Sequence, residues 1–170
     1  MNWTSKIREI PDFPQAGILF RDITPLLGDG PMYREAIDAL ASFTKARGAE
    51  LIVGPEARGY VVGAPLAYAL GIGFVPVRKK GKLPFETVAV EYQLEYGTDV
   101  LEIHRDAVRP GQRVVVADDL LATGGTMTAT IELVKKLGGV VVGAAFFIEL
   151  LALEGRKRLQ GVAIETLVTY

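Results

Sequence analysis

The chain has no cysteine and a single histidine, His104, among its 170 residues. Disulfides and cysteine-ligated metals are thereby excluded, and a small secreted scaffold held by disulfides is not expected. With no second His and no Cys, neither a His-centred metal site nor a nucleophile–base pair is expected. His104 reads instead as a residue on a strand surface. Neither sign of charge dominates: 19 Lys and Arg stand against 20 Asp and Glu, a formal net of −1. The basic footprint of a nucleic-acid binder and the acidic tail of a disordered chain are both missing, so no nucleic-acid partner is expected. No apolar run approaches the about 20 residues that span a bilayer. The first ten residues carry Lys6, Arg8 and Glu9 where a signal sequence has its apolar core. The expectation is a soluble, cytoplasmic protein with no membrane partner. Linkers, internal repeats and low-complexity stretches are absent too, and the length suits one domain over 1–170 with a sizeable core.

What is present is an alternation of strand and helix patterns. Tyr33, Ala36, Ile37 and Leu40 follow i, i+3, i+4, i+7 spacing, with Pro31 in the first turn and Gly48 past the end. Residues 51–53 read as a strand, 59–70 as an apolar helix rich in small residues, and 73–77 as the next strand. Residues 88–94 alternate and read as a strand projecting from the body, with 99–105 pairing to it. Strands at 113–117, 140–148 and 162–168 follow, and the helix after the first of these presents Met127, Ile131 and Val134 on one face. Such alternation predicts an α/β fold with a central, mainly parallel sheet flanked by helices.

The run Val114-Val115-Val116-Ala117-Asp118-Asp119-Leu120-Leu121-Ala122-Thr123-Gly124-Gly125-Thr126 is the densest in chemical information. Val114 to Ala117 is a continuous apolar run, as in a central strand covered on both faces. Two buried carboxylates are costly, so Asp118 and Asp119 are expected at the rim of the sheet. The small-residue loop 122–126 leaves backbone N–H groups uncovered at a helix start, a ready site for phosphate. It is neither a P-loop nor a G-x-G-x-x-G turn. An Asp-Asp pair is often only a solvated turn, but acids beside a phosphate nest suit a sugar phosphate.

Ligands of open parallel sheets lie beyond the carboxyl ends of the strands, where further segments should converge. Gly54-Pro55-Glu56-Ala57-Arg58-Gly59-Tyr60 reads either as a tight loop with a salt-bridging Arg58 or as backbone folded around a diphosphate gripped by Arg58. Arg78-Lys79-Lys80-Gly81-Lys82 places four cations within five residues. It reads as a solvated loop or as a lid that brings charge to a diphosphate on closing. Glu95, between Leu94 and Tyr96, reads as structural or as a carboxyl with altered proton affinity. The Pro- and Gly-broken stretch 13–25 reads as a cover for one sheet end, or as a hood offering Phe20 to a flat heterocycle.

Together FRDITPLL, EARG, RKKGKLP, YQLEYG, VVVADDLLATGGT and IELLALEGR resemble, in order and over essentially the whole chain, the type I phosphoribosyltransferases, and among them the adenine-specific family. The acid-acid run alone assigns only the superfamily; FRDITPLL, GKLP and LEYG point to adenine. Gln15-Ala16 and Gly28-Asp29-Gly30 depart from the family's proline-bearing turns. The resemblance implies the type I phosphoribosyltransferase fold, with a small hood at about 1–30, a core at about 31–170 and a flexible lid loop at about 78–97. It implies transfer of the phosphoribosyl group of phosphoribosyl diphosphate (PRPP) to adenine N9, giving AMP and diphosphate, with Mg²⁺ held by PRPP and water rather than directly by protein, in a homodimer. By resemblance, Asp118 and Asp119 bind the ribose hydroxyls, and Ala122, Thr123, Gly124, Gly125 and Thr126 cradle the 5′-phosphate. Ala57 and Arg58 meet PRPP, with Arg58, Lys79 and Lys82 stabilising the diphosphate. Leu19 and Arg21 read adenine through backbone groups, Phe20 stacks, Leu150 closes the pocket, Tyr96 shapes it, and Glu95 is the general acid/base near N7. The alternatives are a PRPP- or purine-sensing regulatory module, or transfer to another purine base.

Overall fold

The computed structural model describes residues 2–93 and 97–170. Near the N-terminus a 3-10 turn, Trp3–Lys6, leads into a two-stranded antiparallel sheet of β1 (Arg8–Pro11) and β2 (Leu19–Asp22). A short helix α1 (Thr24–Leu27) and the long α2 (Gly30–Ala46) follow. Asp29 caps α2 by accepting from Met32 N (3.2 Å), and Lys6 Nζ lies 2.7 Å from the same carboxylate. The Gly28-Asp29-Gly30 turn thus supplies an N-cap in the usual sense, a side-chain oxygen on an unpaired helical amide.

The remaining elements are β3 (Leu51–Pro55), α3 (Tyr60–Leu70), β4 (Gly73–Lys79), β5 (Thr87–Gln93), β6 (Thr98–His104), β7 (Arg113–Leu121), α4 (Gly125–Lys136), β8 (Val140–Glu149) and β9 (Ile164–Thr169). Their strands form one seven-stranded sheet in the order β5-β6-β4-β3-β7-β8-β9. The β4-β3-β7-β8-β9 ladder is parallel, and β6 adds antiparallel to β4 and β5. The expected α/β fold with a mainly parallel sheet is therefore the one observed.

Alternation along β7 shows why both faces are covered. Val114 and Val116 pack with Val53, Met127 and Val134 on the α4 side. Val115 and Ala117 pack with Ile52, Leu40, Val62 and Leu66 on the α2–α3 side. All four β7 residues are fully buried, each side chain contributing on the order of 1–3 kcal/mol of transfer free energy. Pro65 sits inside α3 and cannot donate to Val61 O; the Tyr33 hydroxyl of α2 donates to that carbonyl instead. The lost helix bond becomes an α2–α3 tie.

Three elements differ from the sequence expectation. Strand β7 continues through both carboxylates to Leu121, because β8 pairs with it as far as Leu121↔Glu149. The acids are inside the strand and not at a rim beyond it. Strand β4 takes in Arg78 and Lys79 of the basic segment, and these pair with Glu102 and Leu101 of β6. The β5–β6 hairpin extends the main sheet, and its Val90, Leu101 and Ile103 belong to the core. Among the described residues no helix is long and apolar enough to cross a membrane.

Leu40 is wholly buried between α2 and the sheet. Leu40→Ala is expected to lower unfolding free energy by about 2–5 kcal/mol in a urea titration; a loss under about 1 kcal/mol would contradict its place in the core.

Candidate active site

Strands β3 and β7 are neighbours, yet the chain leaves them in opposite directions, through α3 to β4 and through α4 to β8. Their carboxyl ends therefore flank a topological switch point, where the loops diverge and leave a crevice. A cleft of about 240 Å³ lies there, lined by Glu56–Arg58 after β3 and by 118–127 of β7, its loop and α4. Ala57, Arg58, Asp118, Asp119 and Ala122–Thr126 thus meet at one place. Gly59 permits the approach: a Cβ there would stand 2.4 Å from Pro55 O and 3.1 Å from Asp118 Oδ1.

The two acids are held in a costly state. Asp119 is 3 % exposed. Burial pushes both carboxyls up, Asp118 well above the usual carboxylate range because the Asp119 charge adjoins it. Asp118 Oδ1 accepts the Asp119 N–H at 2.9 Å. Arg58 Nε lies 3.1 Å from Asp119 Oδ2 and opposes the rise in its pKa. That oxygen is buried and accepts no hydrogen bond among the described residues. Ion-paired but without a hydrogen bond, this oxygen keeps acceptor capacity that a ligand hydroxyl in the cleft would take up.

On the other side, Gly124 (φ +84°) stands at the N-cap of α4, which has no side-chain cap. Thr128 and Thr130 turn their hydroxyls back to Gly124 O and Thr126 O, at 2.8 and 2.9 Å. The first helical amides are left for an anion, at the positive end of the helix dipole.

The hood residues adjoin this cleft through Arg58. Its guanidinium carbon is 5.3 Å from the Phe20 ring centre, and Phe13 meets Phe20 edge-on at 5.1 Å. Leu19 is exposed. The Arg21 side chain turns away to Glu9 and to the Tyr170 ring, 3.7 Å from its centre. Leu150 is half-buried, its amide bonded to Leu121 O at 2.9 Å.

Lys79 and Lys82 do not line the cleft. Lys79 Nζ is 3.0 Å from Asp99, which raises the ammonium pKa and holds the carboxyl below its ordinary value. Lys82 Nζ is 2.8 Å from Glu56, whose other oxygen accepts the Lys79 amide (2.8 Å) and lies 3.4 Å from Arg78 Nε. Burial alone would raise the Glu56 pKa; Lys82 and the Lys79 amide more than offset it. Glu56, which lines the cleft, and Asp99, the partner of Lys79, are not singled out by the sequence. The signal for Glu56 was its place two residues before Arg58, and the need of four clustered cations for counter-charge. Glu95 and Tyr96 lie outside the described residues.

Asp118→Asn keeps the acceptor for the Asp119 amide and removes one of two crowded charges. Thermal unfolding at pH 7–8 is expected to shift up by roughly 2–4 °C, the shift of about 1 kcal/mol in a chain of this length. The gain should shrink as pH falls, because a carboxyl with a raised pKa destabilises only while ionised. A midpoint below that of the unmutated protein would contradict the charge crowding.

Comparison with known proteins agrees with this geometry. The profile of the phosphoribosyl transferase domain matches residues 28–166. An adenine phosphoribosyltransferase from Brevibacillus brevis is 60% identical over 170 residues, covering 100% of both chains. The crystal structure of adenine phosphoribosyltransferase from Thermoanaerobacter pseudethanolicus superposes with a TM-score of 0.97 at 57% identity, covering 99% of this chain and 98% of that one. The enzyme from Saccharomyces cerevisiae, complexed with an imino-altritol bisphosphate and adenine, gives 0.93 at 39% identity over 98% and 96%. With the switch-point cleft, the paired acids and the uncapped helix all in their places, the chain belongs to the phosphoribosyltransferase family, among the adenine phosphoribosyltransferases.

Proposed function

We propose that this chain transfers the phosphoribosyl group of PRPP to N9 of adenine, giving AMP and diphosphate in purine salvage. One observation supports the reading above others: two adjacent acids, Asp119 buried and Asp118 half-buried, line a single cleft together with the uncapped start of α4. Acceptors and anion-binding amides in one cleft suit a ribose 5-phosphate. Arg58 stands between it and Phe20, where a base on one side and a diphosphate on the other would meet.

In this reading Asp118 and Asp119 accept from the ribose 2′- and 3′-hydroxyls, and the amides of 122–126 hold the 5′-phosphate. Phe20 stacks on adenine between the backbone groups of Leu19 and Arg21, with Leu150 and Tyr96 closing the pocket. The N9–C1′ bond forms as the C1′–O bond to diphosphate breaks, with inversion and through an oxocarbenium-like state; the diphosphate leaves with the electron pair. Adenine gives up one proton as N9 becomes substituted, and Glu95 near N7 serves as the acid/base group. Negative charge grows on the leaving diphosphate, so cations that reach it only then lower the barrier most. Lys79 and Lys82 are held by Asp99 and Glu56 in this structure. Within the segment about 78–97, β5 stays in the sheet and the Lys79 and Lys82 side chains exchange those acids for the diphosphate, while 1–30 serves as the hood.

Mg²⁺ fits the donor set. A hard cation keeps waters and binds through substrate oxygens, so it needs no cage built wholly of protein, and Asp118 and Asp119 would offer it hard oxygens. When bound, the ion neutralises charge on the diphosphate. The working form is a cytoplasmic homodimer, with the apolar helix α3 as one candidate contact.

The test is diphosphate release from PRPP and Mg²⁺ across a panel of adenine, guanine, hypoxanthine and xanthine. Turnover is expected with adenine; turnover with another base and none with adenine would overturn the specificity. PRPP binding without turnover on any base would favour a sensing module. For the ribose clamp, Asp119→Asn is expected to lower kcat/KM for PRPP on the order of 10²-fold, the usual scale for one well-placed polar group, with the fold retained by circular dichroism. Unchanged kinetics in that variant would remove Asp119 from the clamp.

A further inference from the structure

The segment that follows β8 meets the phosphate loop backbone to backbone. Gly155 is buried, and a Cβ on it would lie 2.1 Å from Ala122 O and 3.1 Å from Gly124 N. A Cβ on Gly124 would in turn lie 2.8 Å from Gly155 O. Both sides of this contact are glycine because nothing larger fits. Just before it Glu154 sits at φ +53°, a conformation that residues with a Cβ rarely adopt, so the path is imposed by its ends.

The next residue supplies such an end. Arg156 donates through Nε and Nη2 to the two oxygens of Glu149, at 2.9 and 2.5 Å. Glu149 is 2 % exposed, accepts a third bond from Thr166 Oγ1 at 3.3 Å, and is held below its ordinary pKa by Arg156. It also stands opposite Leu121 in the β7–β8 ladder, one residue before the phosphate loop. The ion pair therefore closes residues 150–155 into a loop anchored at the end of β8, beside the strand that leads into the phosphate loop, and Gly155 at its closing end packs on that loop. Neither Glu149 nor Arg156 lines the ribose-side cleft.

We propose that Arg156 and Glu149 are positioning residues for the 5′-phosphate: the ion pair holds Gly155 against Ala122–Gly124 and sets the curvature on which the amides of 122–126 converge. The inference rests on the reading of that loop as the 5′-phosphate site. A fork-shaped guanidinium is needed, since a lysine keeps the charge but loses the second bond. The device works at a distance from the reacting carbon, where misplacement by about 1 Å is enough to cost on the order of 10²-fold.

The experiment compares Arg156→Lys, Arg156→Gln and Gly155→Ala with the unmutated enzyme in steady-state kinetics and in calorimetric binding of ribose 5-phosphate. Expected are a rise in the KM for PRPP of roughly 10- to 100-fold, a smaller fall in kcat, and a matching loss of ribose 5-phosphate affinity. Arg156→Lys should retain a cooperative thermal transition, and it decides the question if Arg156→Gln does not fold. Because both residues act through one contact, Gly155→Ala combined with Arg156→Lys should be little worse than Gly155→Ala alone. A folded Arg156→Lys with unchanged PRPP KM and unchanged ribose 5-phosphate affinity, or fully additive effects in the double variant, would overturn the proposal. Turnover of adenine by the unmutated enzyme tests the reading of function separately, and ribose 5-phosphate binding reads the ion pair whatever that turnover is.

Discussion

Two adjacent carboxylates inside the central strand are the constraint around which the molecule is arranged. Taking Asp118 and Asp119 out of water in one another's company costs free energy that hydrophobic burial elsewhere must offset. The strand tolerates them because it is buried by α4 on one face and by α2–α3 on the other, and because Arg58 reaches across from the neighbouring strand. The result is a destabilised pair of acceptors, one oxygen of which is ion-paired to Arg58 yet accepts no hydrogen bond among the described residues. A site of this kind is prepared for a ligand rich in hydroxyls, since binding relieves a cost already present in the fold.

The cations of the site follow the same logic with signs reversed. Arg58, Lys79 and Lys82 each rest beside an acid: Asp119, Asp99 and Glu56. Strong positive charge is thereby held beside carboxylates that are largely buried, while the cationic ends stay about half exposed and open to a ligand from the solvent side. The Glu149–Arg156 pair is of another kind, a bidentate grip on a buried carboxylate, and in our proposal it holds the backbone of loop 122–126.

Much of the fold was legible because its signals are periodic and local. The α2 stripe of Ala36, Ile37 and Leu40, the face of α4 and the apolar strands all appear where their spacing places them. The grouping of Asp118, Asp119 and loop 122–126 was legible as well, since they lie in one continuous run, and the structure lines one cleft with them. The ends of elements were not: a strand of four apolar residues looked finished at Ala117, and only the ladder to β8 carries it to Leu121. The paired acids Glu56 and Asp99 escaped notice for a similar reason, as their partners stand 26 and 20 residues away along the chain.

The sequence by itself determined the order of strands and helices, the contiguous motif that carries acids and phosphate loop, and the absence of cysteine chemistry. Those are properties of neighbours along a chain, where side-chain period and backbone freedom act directly. Only the tertiary structure decided that β3 and β7 lie side by side, so that Arg58 faces Asp119, that Phe20 of the hood meets Arg58, and that Gly155 presses on Ala122. Each of those contacts joins residues dozens of positions apart, and strand order in a sheet is set by the burial of both faces together, a sum over the whole chain that no local pattern contains.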